Sequence, residues 1–477
     1  MNHLLQDLES RINPEKNRRF APEEFGRRLI LLADFVASRW PQKNGWRFSV
    51  VGTNGKGSLS HYLGSILHRA GFDVGLYTSP HLSHFSERIR INGEPLNESS
   101  LEFHYQALKD RFLLPFPESD VSASGSGAKT RVSATKQLWK DLSYFELLTL
   151  LALESFQTLG PAAQIYEAGL GGRLDATRLN DPEVVVVTKI ALDHTSLLGN
   201  TKQAIFREKL GICGPSTRQL FLMEERYESD ARHFFAARAS ETAGAFSRSS
   251  AAPEVMAAMP MIHCFPEQPE PGEEHYLEHN YRFAAWILET LEKESAKGLQ
   301  EKLYRQSGRR TSDAEGEAVT AAADGPPKRI SIPATRSAFS DPPGRMFETN
   351  RHGLRWIYDS GHNPASLHAV LKNAGQQASA PLLVLGILPD RSYRQFLRMA
   401  RLHGISRPLC IQREGLASIP ESVPREDILN ALDSPSENLR RILKTCKDAQ
   451  RTTVLFTGSY RIYDLFLEIL GGDIVHA

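Results

Sequence analysis

The stretch Arg47–Ser58, RFSVVGTNGKGS, decides the fold of the surrounding chain. It begins with a short apolar run, continues through a glycine-rich turn, and leads into Ser58–Ala70, where apolar residues recur at helical spacing. Glycines let the backbone wrap closely around an anion, and the N-terminus of the following helix adds partial positive charge. A strand, a glycine-rich loop and a helix in this order are typical of a phosphate-binding loop.

The polar residues of this loop suit a nucleotide phosphate. Lys56 supplies a mobile positive charge for the β- and γ-phosphates, and Ser58 offers a hydroxyl to phosphate or magnesium. The spacing departs from GxxxxGK[ST], because Val50 stands at the first glycine position and Gly57 separates Lys56 from Ser58. A glycine-rich turn without a ligand is the alternative, and the strand–loop–helix context favours the phosphate loop. The residues expected to bind the nucleotide are Gly52, Thr53, Asn54, Gly55, Lys56, Gly57 and Ser58.

Apolar runs around the loop predict a mostly parallel α/β sheet. Three more runs, Val74–Thr78, Gln164–Tyr166 and Val184–Thr188, have the length and composition of buried strands, and helical patterns lie between them. Strands that alternate with helices are connected in parallel, because the crossover needs the length of a helix. Two stretches interrupt this pattern and look irregular: Ser119–Lys136 and Glu224–Glu274.

A second α/β pattern follows a polar stretch rich in glycine and alanine at Ser307–Pro333. Its expected strands are Leu354–Tyr358, Leu382–Leu385, Pro408–Ile411 and Val454–Phe456. The sequence therefore predicts a nucleotide-binding domain at residues 1–295 and a smaller, Rossmann-like α/β domain at residues 335–477. A linker is expected between them at residues 296–334.

Composition bears on the class of protein. The 477 residues carry a formal net charge of +1, which gives no sign of a surface for nucleic acid or membrane. The four cysteines form no CxxC pair, and reduced thiols in a cytoplasm fit best. The first twenty residues lack the apolar segment of a signal peptide, and no apolar run is long enough to span a bilayer. A cytoplasmic protein that acts on small molecules is expected.

Polar residues follow three predicted strands at their carboxyl ends, where parallel sheets bind ligands. Ser79 follows the second strand, Glu167 the third and His194 the fourth. A hydroxyl, a carboxylate and an imidazole beside a phosphate loop are able to hold a magnesium ion that keeps its other waters. Taken singly, Glu167 is better explained as a capping or salt-bridge carboxylate and His194 as an ordinary structural histidine. Their shared edge of the sheet favours the metal site.

Seven motifs occur in order along the chain. They are Val50–Asn92 (VVGTNGKGSLSHYLGSILHRAGFDVGLYTSPHLSHFSERIRIN), Ser143–Glu146 (SYFE), Glu167–Thr177 (EAGLGGRLDAT), Ile190–Asn200 (IALDHTSLLGN), Arg207–Ile212 (REKLGI), Pro343–Arg345 (PGR) and Asp359–Pro364 (DSGHNP). Together they resemble the signatures of the folylpolyglutamate synthase / dihydrofolate synthase family, part of the Mur ligase superfamily. The resemblance implies a P-loop Mur-ligase-type ATP-binding domain, which also binds pterin, and a C-terminal glutamate-ligase domain.

The resemblance also implies roles for the matching residues. Thr53 to Lys56 would cradle the phosphates of ATP, and Lys209 matches a lysine that is carbamylated in the family. The implied magnesium ligands are Ser79, Glu167 and His194. The residues that would bring the second domain onto the nucleotide are Arg345, Asp359 and His362. The positions that match a pterin pocket are Ser143, Tyr144, Phe145, Glu146, Leu174, Asp175 and Ala176.

One departure from the family concerns the adenine. The family has an asparagine on a helix, in an HQxxN-like pattern, whereas His279–Phe283 (HNYRF) places Phe283 at that position. Stacking or backbone contacts would then hold the base, with Asn280 one helical turn away as a partial substitute. The alternative is that Phe283 is a core residue.

The implied reaction is the ATP- and Mg²⁺-dependent addition of L-glutamate to the carboxylate of a folate or dihydropteroate, through an acyl phosphate. A monomer is expected. One alternative is a Mur-type peptide ligase, which would carry an added N-terminal substrate domain, whereas about fifty residues precede the loop here. The other is a P-loop NTPase without ligase activity, which has no use for Arg345, Asp359 and His362.

Overall fold

The structure, a computed structural model, describes residues 3–12, 22–41, 45–113, 135–246, 259–266, 275–294, 311–312, 318–319, 330–374 and 380–471. It divides into two compact units that are interleaved in sequence. The first consists of Met1–Ser79, Ser86–Glu267 and Phe283–Ile332, and the second of Pro80–Phe85, Gln268–Arg282 and Pro333–Ala477. The sequence had predicted contiguous domains instead, and most of the expected linker at 296–334 lies outside the described residues.

An eight-stranded sheet forms the centre of the first unit. Its strands are β1 (Trp46–Val51), β2 (Val74–Tyr77), β3 (Ile89–Ile91), β4 (Glu94–Pro95), β5 (Ala163–Glu167), β6 (Val184–Val187), β7 (Gln219–Leu222) and β8 (Met261–Cys264). Their order is β4-β3-β2-β5-β1-β6-β7-β8. Strand β3 pairs antiparallel with both β2 and β4, and the six strands from β2 to β8 in this order pair in parallel. Strand β1, which leads into the glycine-rich loop, is fully buried between β5 and β6. This arrangement places the loop at the middle of the sheet edge.

Helices connect these strands. They are α1 (His3–Ser10), α2 (Pro22–Arg39), α3 (Lys56–Arg69), α4 (Glu98–Leu113), α5 (Tyr144–Leu159), α6 (Thr195–Leu198), α7 (Lys202–Leu210), α8 (Glu228–Phe246) and α9 (Tyr276–Glu294), and residues 135–141 are helical as well. Helix α5 is apolar over most of its length and ends at Gly160, whose φ of +66° is the left-handed C-cap conformation. The boundary between the two units falls within α9, after Arg282.

The four strands expected in the first part of the chain are confirmed, and no end is shifted by more than one residue. The expectation of irregular structure over Glu224–Glu274 was wrong, because this stretch contains α8 and the edge strand β8. Alanine and arginine favour the helix, although α8 lacks a clear apolar stripe that would have revealed it. Of the other irregular stretch, residues 119–134 lie outside the described residues.

The second unit contains a six-stranded sheet. A short antiparallel pair, β9 (Thr311–Ser312) and β10 (Ala318–Val319), precedes this sheet in the chain and belongs to the first unit. The strands of the six-stranded sheet are β11 (Phe347–Arg351), β12 (Leu354–Asp359), β13 (Leu382–Leu385), β14 (Leu409–Gln412), β15 (Ile428–Asn430) and β16 (Thr453–Thr457). Their order is β11-β12-β16-β13-β14-β15, and only β11 is antiparallel to its neighbour. The helices are α10 (Pro364–Ala374), α11 (Tyr393–Leu402), α12 (Pro435–Asp448) and α13 (Tyr463–Ile469). The four predicted strands of this part are confirmed.

Two apolar clusters cover the faces of the second sheet. One joins α12 and α13 to the sheet, and the other joins α10 and α11 to it. Within the described ranges, no helix has both the length and the apolar character that crossing a bilayer requires. The four cysteines, all in described segments, are unpaired.

Substitution of Gly75 in β2 tests how α5 packs on the first sheet. A Cβ at Gly75 would lie 2.8 Å from a ring carbon of the fully buried Phe156. We expect Gly75→Ala to lower the free energy of unfolding by about 1–3 kcal/mol, as overpacking does. Gly64→Ala is the matched control, because its Cβ would meet only ordinary contacts from 3.7 Å and would stabilise α3 by up to about 1 kcal/mol. Urea unfolding distinguishes the two variants, and equal stabilities would contradict this packing.

Candidate active site

The loop between β1 and α3 has a conformation that glycine alone adopts readily at two positions. Gly52 has φ of +149° and Gly55 has φ of +90°. A Cβ on Gly52 would lie 1.8 Å from the Oγ1 atom of Thr188, so no side chain fits there. Gly55 is the N-cap of α3, which begins at Lys56 and includes the buried Ser58 in its first turn. The first N–H groups of the helix therefore lie at the loop.

The loop is anchored to the segment that follows β6. The N–H groups of Thr53 and Asn54 both donate to the carbonyl of Lys189, at 2.9 and 3.2 Å. The Thr53 hydroxyl donates to the carbonyl of Ala191 and accepts from its N–H, each at 3.1 Å. The backbone of Thr53 and Asn54 therefore shapes the loop, and the first turn of α3 is the source of N–H groups for an anion.

Glu167, the last residue of β5, lies beside the first turn of α3. Its side chain is buried, and its Oε2 atom accepts a hydrogen bond of 3.1 Å from the N–H of Ser79. The same oxygen is 3.3 Å from the point where a Cβ on Gly57 would stand, so a larger residue would crowd the carboxylate. Ser79 and Glu167 meet at the loop because β2, β5 and β1 are adjacent parallel strands whose carboxyl ends share one edge.

His194 stands on the loop after β6, the strand on the other side of β1. It has φ of +45° and forms the N-cap of α6. Its N–H donates to Oδ1 of Asp193 at 2.8 Å, and its Nε2 lies 3.8 Å from the same oxygen. Asp193 therefore fixes the backbone at His194, and 30% of the His194 side chain is exposed.

These side chains suit a hydrated magnesium ion better than a metal held by protein alone. In the segments that the structure describes, no three His, Cys, Asp or Glu side chains are grouped as a metal would need. Magnesium usually keeps several waters and binds one or two carboxylates together with substrate phosphates. Glu167 supplies the buried carboxylate and Ser79 a hydroxyl on the residue bound to it, so the donor set fits such an ion.

Lys209 is a buried amine near the C-terminus of α7. Burial, and after it the positive charge of Lys56, lower the pKa of Lys209 to about 7, against the opposing effect of the Asp175 and Glu208 carboxylates. The backbone of Gly172 approaches the Lys209 carbonyl so closely that a Cβ there would lie 2.3 Å from the oxygen. Because its pKa is lowered to about 7, a large fraction of the Lys209 amine is neutral and nucleophilic at neutral pH.

Two residues predicted to line a pterin pocket are engaged within the protein. Ser143 is the N-cap of α5: its Oγ accepts from the N–H of Glu146 at 3.3 Å, and Glu146 Oε2 accepts from the Ser143 N–H at 2.8 Å. The buried Glu146 carboxylate also pairs with Arg28, whose Nε lies 2.8 Å from both oxygens. These bonds fix the start of α5, and with it the positions of the Tyr144 and Phe145 rings.

The loop after β5 meets this helix start. A Cβ on Gly169 would lie 2.7 Å from the ring of Phe145, so the loop that leads to Leu174–Ala176 contacts the first turn of α5. Asp175 is buried and accepts from the N–H of Leu170 at 2.8 Å and from the N–H and hydroxyl of Thr177 at 2.9 and 2.5 Å. Burial raises the pKa of Asp175. Of the other two predicted residues of this loop, Leu174 is half-buried and Ala176 is buried.

In the second unit, Arg345 lies beside Asp359 at the carboxyl end of β12. The Asp359 side chain is buried; Oδ2 accepts from the N–H of Met346 at 3.1 Å, and Oδ1 accepts from the N–H of Gly361 at 2.8 Å. A guanidinium nitrogen of Arg345 is 3.7 Å from Oδ1, and 25% of that side chain is exposed. Asp359 therefore fixes the backbone next to Arg345 and the turn that follows β12.

Asp359 has a further partner that the sequence did not reveal, the hydroxyl of Tyr276, which donates to Oδ2. Tyr276 is the first residue of α9, and no local pattern signals a bond that depends on tertiary packing. His362 stands two residues after Ser360, whose carbonyl lies 3.3 Å from the His362 Nδ1 atom. The protein's own groups thus occupy the Asp359 carboxylate.

Sequence similarity to the curated relatives covers part of the chain. No protein-family model matches it. The dihydrofolate synthase/folylpolyglutamate synthase of Escherichia coli K12 is 42% identical over 165 residues, which are 35% of this chain and 33% of that protein. The matched region thus spans about a third of the length of the curated relatives.

Similarity in structure extends over nearly the whole chain. A folylpolyglutamate synthase complex with AMPPCP and folate gives a TM-score of 0.63 at 22% identity, covering 99% of this chain and 100% of that one. The chain has the folylpolyglutamate synthase fold. A bifunctional folylpolyglutamate synthase/dihydrofolate synthase with Mn, AMPPNP and L-glutamate bound gives a TM-score of 0.61 at 22% identity, covering 97% and 96%. The resemblance drawn from the seven motifs and the predicted two-part α/β fold are confirmed.

In this example of the folylpolyglutamate synthase fold, Phe283 is a core residue. Its ring is fully buried and packs against Phe265 and Trp286, with centroid distances of 5.1 and 6.0 Å. Asn280, the suggested substitute, is also buried. An adenine does not reach a fully buried ring, so the structure supports the core alternative for Phe283.

Substitution of Phe283 separates the core role from a role in base recognition. We expect Phe283→Ala to lower the free energy of unfolding by about 3–5 kcal/mol, as other large deletions in cores do. The ratio of ATP to GTP affinity, measured by titration of the folded protein, should stay unchanged. Phe283→Leu, which keeps most of the volume, serves as the control. A changed nucleotide ratio with unchanged stability would contradict the core assignment.

Proposed function

We propose that the chain is an ATP-dependent ligase that adds L-glutamate to the carboxylate of a folate or dihydropteroate, releasing ADP and phosphate. The observation that carries the proposal is the meeting of the Lys56 loop, the Glu167 carboxylate and the low-pKa Lys209 amine at one edge of the first sheet. The E. coli relative named above supports the substrate class. So do the solved structures with this fold that hold AMPPCP with folate, or AMPPNP with L-glutamate.

The proposed chemistry follows from the charges. The γ-phosphoryl group of ATP moves to the substrate carboxylate, giving an acyl phosphate and ADP. The amine of glutamate then attacks the acyl carbon, the amide bond forms, and phosphate and a proton leave. Lys56 neutralises charge on the phosphates, and the family resemblance assigns Arg345 and His362 to the nucleotide as further positive or hydrogen-bonding groups. A bound magnesium ion would be held by Ser79, Glu167 and His194 and would stabilise charge on the phosphate oxygens.

The folate or dihydropteroate is proposed to lie against the first turn of α5 and the loop after β5. Tyr144 and Phe145 offer rings for a pterin to stack on. Ser143, Glu146 and Asp175 hold this surface rigid through the hydrogen bonds described above. We further propose that the chain works as a cytoplasmic monomer, with the ligase function of residues 335–477 directed at glutamate.

Lys56→Ala tests the ligase directly. In the wild type, ADP release with ATP and tetrahydrofolate or dihydropteroate should depend on added L-glutamate. The variant should lose turnover by about two orders of magnitude or more, because a charge-stabilising group at the phosphates is removed. Lys202→Ala, on the exposed N-terminus of α7, is the matched control and should keep wild-type turnover. ADP release that does not depend on added L-glutamate would instead indicate an NTPase.

We also propose that Lys209 is carbamylated. The neutral amine adds CO₂ to give a carbamate anion and a proton, which turns the repulsion between Lys209 and Lys56 into attraction. Because the pKa of Lys209 is lowered to about 7, the neutral amine is available above that pH, whereas an ordinary lysine is protonated until about 10.4.

The carbamate is detectable without any activity assay. In ¹³C-bicarbonate buffer, a protein carbamate signal should grow as the pH rises through about 7 and should be absent in Lys209→Arg. Lys202→Arg serves as the control and should retain the signal. A wild-type spectrum identical to that of Lys209→Arg at pH 8 would refute the modification.

A further inference from the structure

Three arginines form a row on the exposed face of α11 in the second unit. Arg394, Arg398 and Arg401 recur at helical spacing and are exposed, whereas Tyr393 and Phe396 on the opposite face are buried in the core. Along the helix axis, the successive Cα atoms are separated by about 6 and 4.5 Å at 1.5 Å per residue. We refer to Arg394, Arg398 and Arg401 as the arginine row.

The row has no carboxylate beside it on its own helix or on the neighbouring α10. Neither helix contains Asp or Glu, although the whole chain balances 57 basic against 56 acidic residues. Among the described residues, none of the three arginines forms an ion pair, while Arg391, just before α11, pairs with Asp390. Such a local excess of unpaired positive charge on a nearly neutral protein indicates an anionic ligand.

The neighbouring helix adds an imidazole, but no acidic side chain, beside the arginine row. Helices α10 and α11 pack on each other over a shared apolar core. At the C-terminal end of the row, His368 of α10 and His403 share a hydrogen bond, with Nδ1 and Nε2 2.9 Å apart. Together the two helices therefore present arginines and imidazoles without an opposing carboxylate.

Topology places one end of the row near the ligand-binding edge of the second sheet. Strands β12 and β13 both pair in parallel with β16, so Asp359 at the end of β12 and the end of β13 share one edge. Helix α11 is the crossover between the parallel strands β13 and β14, so it starts from this edge and runs back along the sheet. Arg394 is thus nearest to the edge that carries Asp359, and Arg401 is farthest from it.

We propose that the arginine row binds the poly-γ-glutamate tail of a folate that has already been extended, a proposal that rests on the function proposed above. In a γ-linked chain every residue keeps a free α-carboxylate, and five main-chain atoms per residue give a repeat of about 6 Å by standard bond lengths. This repeat is close to the spacing of the row. Guanidinium groups bind carboxylates through paired hydrogen bonds, so arginine suits such a tail better than lysine does.

The surface favours a glutamate tail over a nucleic acid. Proteins that bind single strands combine positive charge with exposed aromatic rings that stack on the bases. The two aromatic residues of α11, Tyr393 and Phe396, are both buried. The row therefore offers charge for carboxylates without a platform for bases.

The test removes the three charges and compares tails of different length. The row variant is the full-length protein with Arg394→Gln/Arg398→Gln/Arg401→Gln. The control, the α12 variant, is Arg440→Gln/Lys444→Gln/Lys447→Gln, which removes three exposed positive charges from a helix that also contains acidic residues. Binding of a labelled penta-γ-glutamate peptide should weaken about tenfold in the row variant, the sum expected of three exposed ion pairs. The α12 variant should stay within about twofold of the wild type, and added salt should weaken wild-type binding.

A kinetic measurement complements the peptide titration. The ratio of kcat/KM for triglutamyl over monoglutamyl tetrahydrofolate should fall in the row variant and stay at the wild-type value in the α12 variant. Equal peptide affinities in both variants, or loss of binding to a labelled RNA oligonucleotide with the peptide unaffected, would overturn the proposal. If the wild type lacks glutamate-dependent ADP release, the proposed ligase fails, whereas the peptide titration still reports on the row.

Discussion

The site depends on the close approach of Gly52 to Thr188. Because Gly52 has no side chain, the end of β1 passes against the end of β6 with no room for a Cβ. The hydrogen bonds from Thr53 and Asn54 to the carbonyl of Lys189 then fix the direction in which α3 leaves the sheet. Glu167 approaches the first turn of α3 only because that turn is fixed and contains Gly57. One steric constraint on the backbone thus positions a helix N-terminus and a carboxylate together.

The electrostatics of this edge are unfavourable without a ligand. Burial lowers the pKa of Lys209 most, and the repulsion between Lys56 and Lys209 lowers it further. The carboxylates of Glu167 and Asp175 are buried nearby and accept hydrogen bonds from backbone N–H groups. Charged groups kept out of water in this way reduce stability, and they are concentrated where proteins bind or transform charged molecules.

Local patterns predicted most of the fold, and tertiary contacts account for what they missed. The strands and the phosphate loop were visible because apolar runs and glycines are local signals. Helix α8 was missed because it lacks an apolar stripe, and the Tyr276–Asp359 bond joins residues far apart in sequence. The structure brings Ser79 to Glu167, as shared strand ends suggested. The SYFE sequence is itself a capping-box pattern, so the bonds between Ser143 and Glu146 are a local signal, whereas the pairs Arg28–Glu146 and Arg345–Asp359 depend on tertiary packing.

The contacts of Leu82 affect when the second unit folds during synthesis. Leu82 packs against the cluster that contains Trp356 and Phe466, and its side chain meets the backbone of Gly344. During synthesis Leu82 emerges long before any of these partners, so its contact closes a very long loop of chain. Contacts between residues so distant in sequence slow folding. The second unit is therefore expected to mature last, and a fragment that starts at residue 335 would carry a gap in its core where Leu82 belongs.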